Sequence, residues 1–501
     1  MVANIASIGL WGIEGYRVEC ECDLSGGLPT FEVVGLPDAA VKESRDRVRA
    51  AIRNSGFEFP MRRITVNLAP ADMRKEGPIY DLPILLSILR SSGRLEALPE
   101  GACFVGELSL SGELRPVTGA LPMAMAAAEA GMKRIYLPRE NAPEAAYAEN
   151  IEVYGIDKVS TLIEHINNGR ELRSEEPREA GERSEHLPDF ADVKGQLTAR
   201  RAVEIAAAGR HNIVMIGPPG AGKSMIAARI PSIMPELTRE EALECTKIHS
   251  VAGLTGHSSP LITVPPFRAP HHTVSSVGLS GGGTVPRPGE VSLAHNGILF
   301  LDELPEYKNE ALEILRQPLE NGSITISRAA GSCSYPCSFM LVCAMNPCKC
   351  GWYGHPTHPC TCREDARKQY ISRISGPLLD RIDMHIVVPA VKYNDLNNKR
   401  PSESSKSIKM RVVEARKRAE ERGFSSNAAM HASDIRKYCV LDQAGSTILE
   451  AAFERLGMTA RGHDRILKVA RTIADLAGSK DIQVNHVAEA IQYRCLDREN
   501  F

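Results

Sequence analysis

Apolar and polar positions change their period along the chain, and each change predicts a different element. Residues 63–68 (RITVNL) alternate as a strand with one buried face does. Residues 41–53 place Val41, Val48 and Ile52 on one helical stripe, with basic residues opposite. Residues 123–130, rich in Ala and Met, predict a further helix. This mixture predicts an α+β domain over 1–166. Across 189–390 short apolar runs alternate with helical segments, the pattern of a parallel sheet with helices packed on it. A polar stretch follows at 394–407, and beyond residue 407 the chain reads as helical almost throughout. Residues 167–188 (NNGRELRSEEPREAGERSEHLP) are dense in charge, with two prolines and almost no apolar anchor, and read as a linker. No internal repeat is visible.

Composition sets the outer bounds. The chain has 501 residues, 43% of them apolar and 24% charged, enough for several cores and about three domains, and too apolar for wholesale disorder. Sixty basic against 62 acidic residues leave a net charge of −2, so global charge does not select nucleic acid or membrane, although local basic patches remain open. No apolar run approaches the ~18 residues of a membrane span. The first residues lack the basic start and apolar core of a secretory signal. The expected location is therefore cytoplasmic, without a membrane partner. An odd count of 13 cysteines argues against a disulfide framework and makes clustered cysteines metal candidates.

The strongest chemical signal is GPPGAGKS at 217–224, matching G-x-x-x-x-G-K-[ST] between an apolar strand at 212–216 and a helix from 225. Gly217, Pro218, Pro219, Gly220, Ala221 and Gly222 would wrap a nucleotide's phosphates with backbone N–H groups. Lys223 would reach the β- and γ-phosphates of ATP, and Ser224 would bind Mg²⁺. GILFLDE at 297–303 is an apolar strand ending in two acids. Asp302 would share the Mg²⁺, and Glu303 would polarise the attacking water. A third strand, 339–344, leads to Asn346, placed to orient that water. GPLLDRID at 376–383 offers Arg381, which in a ring would reach the neighbouring subunit's nucleotide.

Cys348, Cys350, Cys360 and Cys362 form two C-x-C pairs flanking His355 and His358. Paired thiols can take the corners of a tetrahedron, so a structural zinc is a candidate cofactor, with either histidine able to replace one thiol. The Cys20/Cys22 and Cys333/Cys337 pairs lack such a second pair and receive no function.

The order of phosphate loop, Asp-Glu strand, Asn346, LLDR arginine and a distal arginine resembles AAA+ ATPases of the magnesium-chelatase and MCM-helicase type. That resemblance makes Arg461, in TAR at 459–461, the sensor-2 arginine, with Arg465 in second place. The strings PFRAPHH at 266–272, PRPGEVSLAH at 286–295, LRQPLE at 315–320 and ARTIAD at 470–475 are similar to the bacterial ComM/YifB family over essentially the whole chain. EGPIYDLP at 76–83 and GELSLSGELRPV at 106–117 resemble the proteolytic domain of Lon, an S5-domain-2-like fold. Lon uses a Ser–Lys pair, but Ile79 stands at the serine position and no lysine occurs in 119–125. An isoleucine cannot attack a carbonyl, so the 1–166 domain is expected to be non-proteolytic. Ser44 has no lysine in a matched role.

The resemblance implies an AAA+ core over 189–390, with the cysteine loop at 346–364, and a helical lid over 391–501. It also implies a homohexameric ring and ATP-dependent helicase or branch-migration activity on recombination intermediates in natural transformation. The alternative is a chelatase-like motor that remodels a protein partner. The DNA contact would be independent of sequence, with single-stranded or branched DNA. Candidate contacts are the basic stretch 409–422, the insert 265–284 with Arg268, His271, His272 and Gly281–Gly283, and the hairpin-like 322–339 with Arg328. His271 and His272 could instead be metal ligands, though no acidic or thiol partner adjoins them.

Overall fold

A computed structural model describes residues 2–178, 187–255, 261–283, 286–328, 331–391, 402–494 and 496. Parts of the expected linker (179–186) and most of the polar stretch before the lid (392–401) lie outside the described residues.

The N-terminal part is built on a seven-stranded mixed sheet. Its spatial order is Thr30–Val34, Arg63–Ala69, Glu14–Ser25, Ala3–Trp11, Ala102–Phe104, Arg134–Pro138, Glu152–Ile156. Three long antiparallel strands, with Thr30–Val34 added in parallel at their outer edge, give way to three short parallel strands on the other side. The strand at Arg63–Ala69 buries alternate residues, as its sequence period predicts. The helix Ala39–Asn54 buries Val41, Val48 and Ile52, and Asp38 caps it by accepting from the Val41 N–H. Ile79, at the Lon-serine position, sits in the short 3₁₀ turn Pro78–Tyr80 and packs against apolar clusters. The neighbouring Asp81 is fully buried and pairs bidentately with Arg47, at 2.6 and 3.1 Å. Its charge is thereby neutralised as a structural ion pair.

Residues 169–178 stay close to this part. Glu175 bridges to Val153, and the Tyr147 hydroxyl donates to the Arg178 carbonyl at 2.6 Å.

The central sheet is parallel throughout, in the order Phe267–Arg268, Ile298–Leu301, Met340–Met345, Ile213–Ile216, Met384–Val387. Its strands are apolar on both faces because both are covered. Ile213 and Met215 point into one apolar cluster, Val214 and Ile216 into the other. The first cluster continues through the C-terminal helices Ser405–Glu421, Ala432–Tyr438, Gln443–Leu456, Ala460–Leu476 and Val484–Gln492. Core and helical bundle therefore share one hydrophobic interior. Polar pins fix the junction. The buried His211 meets Thr472 Oγ1 at 2.7 Å, and Arg416 donates to the Ala207 carbonyl at 2.8 Å.

These pins change the reading of the basic stretch. Arg411 pairs with Glu204 and Glu403, Arg422 with Asp475, Lys409 with Glu236, and Arg416 is buried. Much of the positive charge on 409–422 thus docks the helix onto its own chain. Arg268 is likewise held bidentately by Glu290, at 2.7 and 2.8 Å, and is not free to grip a phosphate. Of the hairpin, Ser323–Arg328 pairs with Gly331–Pro336. Its turn, 329–330, lies outside the described residues; Arg328 is exposed, and Gly331 lies against the Trp11 ring of the N-terminal sheet. Among the described residues no helix is long and apolar enough to cross a membrane.

Candidate functional site

Parallel sheets present their ligands at the carboxyl ends of the strands, and four of the expected side chains meet there. The strand Ile213–Ile216 ends at Gly217, and the loop turns through Gly220 (φ +76°) and Gly222 (φ +87°), left-handed positions that glycine enters without a Cβ clash. The loop delivers Lys223 and Ser224 to the start of the helix Lys223–Ala227. Two strands away, Ile298–Leu301 ends at Asp302. The Ser224 hydroxyl donates to Asp302 Oδ2 at 2.6 Å. Two hard oxygens are thus already side by side, a fit for Mg²⁺. The strand between them, Met340–Met345, ends next to Asn346, whose Oδ1 lies 3.3 Å from Lys223 Nζ.

Lys223 is buried, and its ammonium caps the carbonyls of Gly217 and Pro218 at 2.8 and 3.0 Å. Burial lowers its pKa, while Asp302 and Glu303 oppose that shift. A phosphate would relieve this desolvation by supplying a negative partner.

Glu303 adopts a left-handed backbone (φ +53°). This conformation costs a residue with a Cβ about 1–2 kcal/mol. The turn directs its carboxylate away from Asp302, whose Oδ1 instead accepts the Glu303 N–H at 2.9 Å. Glu303 Oε2 meets His272 Nδ1 at 3.2 Å, and the His271 ring lies against that of His272 at a tilt of 35°, with centroids 4.1 Å apart. The Tyr307 hydroxyl holds the same loop through the Pro270 carbonyl at 2.5 Å. The histidine pair is therefore part of this site. Sequence spacing did not reveal that, because the two loops are joined only by the sheet. His272→Ala should lower ATP turnover by about tenfold at unchanged ATP affinity, through loss of a group that orients the base. Initial rates at saturating ATP, with nucleotide binding measured in parallel, check this.

Arg381 and Arg461 are not at this end. The Arg381 carbonyl accepts from Asn212 Nδ2 at 2.9 Å, and Asn212 precedes the strand whose far end carries the phosphate loop. Four strand residues separate those ends, roughly 13 Å. Arg381 donates to the Pro377 carbonyl at 2.5 Å and pairs with Glu320. Burial lowers its pKa, and the charges of Arg316 and Arg461 lower it further. Arg461 is exposed at the start of Ala460–Leu476, where Thr459 caps the helix by accepting from the Gly462 N–H. Threonine does there what serine would. Arg465 is tied to Asp383 at 3.1 Å. The arginines thus gather toward the strand ends opposite their own phosphate loop.

The four cysteines converge. The sulfurs of Cys348, Cys350, Cys360 and Cys362 all lie within 4.8 Å of one another. Three of the separations are 3.4, 3.6 and 3.7 Å. With Zn–S bonds of ~2.3 Å a tetrahedral site has sulfur edges of ~3.8 Å, so the donor set fits zinc. His355 and His358 lie apart from this set. They pack on Trp352, and His355 Nδ1 accepts from the Thr357 and His358 N–H groups.

Comparison with known proteins agrees along the length of the chain. Residues 189–396 match the family model "Magnesium chelatase, subunit ChlI", residues 20–141 "Subunit ChlI of Mg-chelatase", and residues 402–494 "Magnesium chelatase, subunit ChlI C-terminal". The competence protein ComM of Haemophilus influenzae is 41% identical over 505 residues, covering 99% of this chain and 98% of the relative. The YifB protein of Escherichia coli is 42% identical over 491 residues, covering 97% and 96%.

Proposed function

The chain belongs to the ComM/YifB family of magnesium-chelatase-like ATPases, and from that premise we propose that it is an ATP-driven DNA motor acting as a homohexameric ring in the cytoplasm. The observation that carries this reading is the split of the site across the sheet. The phosphate loop, Asp302 and Glu303 lie at the carboxyl ends of the strands, and Arg381 with Arg461 toward their amino ends. A chain with the two halves at opposite ends of its sheet completes its sites head to tail, an arrangement that forms a ring when the rotation between subunits closes.

In this reading the loop amides and Lys223 hold the β- and γ-phosphates. Ser224 and Asp302 would hold Mg²⁺, which when bound neutralises charge on the phosphate oxygens. Glu303, steered by His272, accepts the proton of the attacking water, and Asn346 orients that water. The neighbour's Arg381 and Arg461 stabilise the charge that develops on the transferred phosphoryl group. The four cysteines hold a structural zinc.

The name "competence protein" of the Haemophilus influenzae relative directs the motor to DNA. The substrate in this reading is single-stranded or branched DNA, in recombination intermediates formed when incoming DNA is integrated. Grip on the phosphate backbone is sequence-independent and weakens with salt. ATP turnover should therefore rise with single-stranded or forked DNA, and the rise should shrink as salt increases. Turnover indifferent to DNA, with no binding, would shift the reading to a protein client.

A further inference from the structure

We propose that the four-cysteine loop is a zinc clamp on the phosphate loop, so that metal occupancy sets the affinity for nucleotide. This rests on the nucleotide-site reading above and adds a regulator to it.

Four contacts carry the proposal. The loop begins directly after Asn346, whose side chain touches Lys223, and its first cysteine, Cys348, is fully buried. Its backbone then lies on the phosphate loop. A Cβ at Gly351 would stand 2.7 and 2.8 Å from Cδ and Cγ of Pro219. Gly351 also has φ +83°, so both its space and its backbone require glycine. At its far end the loop is tied to the helix Glu364–Ile371, where Arg367 stacks on Tyr353 at 4.1 Å. Just beyond that helix, Arg373 pairs with Glu306 at 3.2 Å, three residues after Glu303.

The loop thus touches the phosphate loop and continues the Asn346 strand, and the segment after the helix that follows it is tied beside the Glu303 turn. Residues 349–362 have few apolar side chains to hold that shape, so the sulfur cluster is what can fix it. Zinc suits four thiolates and undergoes no redox change, and its binding releases the thiol protons.

The test measures zinc content and the affinity for a fluorescent ATP analogue on the full chain. The wild type should carry about one zinc per chain. Cys360→Ser/Cys362→Ser should lose the metal and bind the analogue at least about tenfold more weakly, because a small misplacement of a positioning element is costly. Removing zinc from the wild type with a chelator should do the same, and adding zinc back should restore binding.

Gly351→Ala should keep zinc and still weaken binding. Gly354→Ala is the control. Gly354 has φ +75° but open space around it, so it carries the backbone strain without the Pro219 contact and should keep both properties. The proposal is overturned by a wild type without zinc, by a folded zinc-free protein that binds the analogue normally, or by a Gly351→Ala variant matching Gly354→Ala. Lys223→Ala separates this from failure of the nucleotide reading. It should lose analogue binding while keeping zinc, and binding that survives it would place the nucleotide elsewhere.

Discussion

Glu303→Gln yields a protein that binds ATP as the wild type does and hydrolyses it about 1,000-fold more slowly, the scale of a lost general base. Glutamine preserves the size of the side chain and keeps an oxygen to accept from His272 Nδ1, now 3.2 Å from the carboxylate. The Ser224–Asp302 pair and Lys223 are untouched, so the phosphate grip remains. Only the capacity to take a proton from water is removed. Nucleotide binding and phosphate release, measured on one preparation, check this. Unchanged turnover would remove Glu303 from the mechanism.

Arg381→Ala lowers turnover by about 1,000-fold or more, the usual contribution of an arginine that reaches a transferring phosphoryl group. It does so without damaging the variant's own phosphate loop, because Arg381 lies next to Asn212, at the other end of the strand that leads into that loop. This geometry makes a sharper prediction. Mixing Arg381→Ala with Glu303→Gln should recover activity from two inactive proteins. At an interface where the first supplies Glu303 and the second supplies Arg381, the site is whole. If the arginine served its own subunit, mixing would recover nothing. In the single chain Arg381 pairs with Glu320, so assembly must exchange that partner for the neighbour's nucleotide.

Local features of the sequence carried much of the fold. The central strands could be read because burial on both faces turns them into apolar runs, as at Ile298–Leu301 and Met340–Met345. The phosphate loop could be read because its chemistry lies within eight consecutive residues, 217–224. The convergence of the cysteines was signalled by their paired spacing. What escaped depended on partners distant in sequence. His272 meets Glu303 only because their strands, Phe267–Arg268 and Ile298–Leu301, pair in the sheet. The basic stretch 409–422 suggested a DNA surface, but Glu204, Glu236 and Asp475, which neutralise much of it, come from elsewhere in the fold. Arg268 was spoken for by Glu290. No local pattern shows at which end of a neighbouring strand an arginine will lie. The separation of Arg381 from its own phosphate loop follows from its place just before Met384–Val387, which runs parallel to Ile213–Ile216.

In the proposed mechanism, ATP hydrolysis at this split site moves DNA. Its most direct test is branch migration on synthetic three- and four-way junctions, with the wild type and Glu303→Gln compared in the presence and absence of ATP. The wild type should resolve the junctions only with ATP present, and the variant should leave them intact. Junctions that stay intact with a wild type that is hydrolysing ATP would contradict that mechanism.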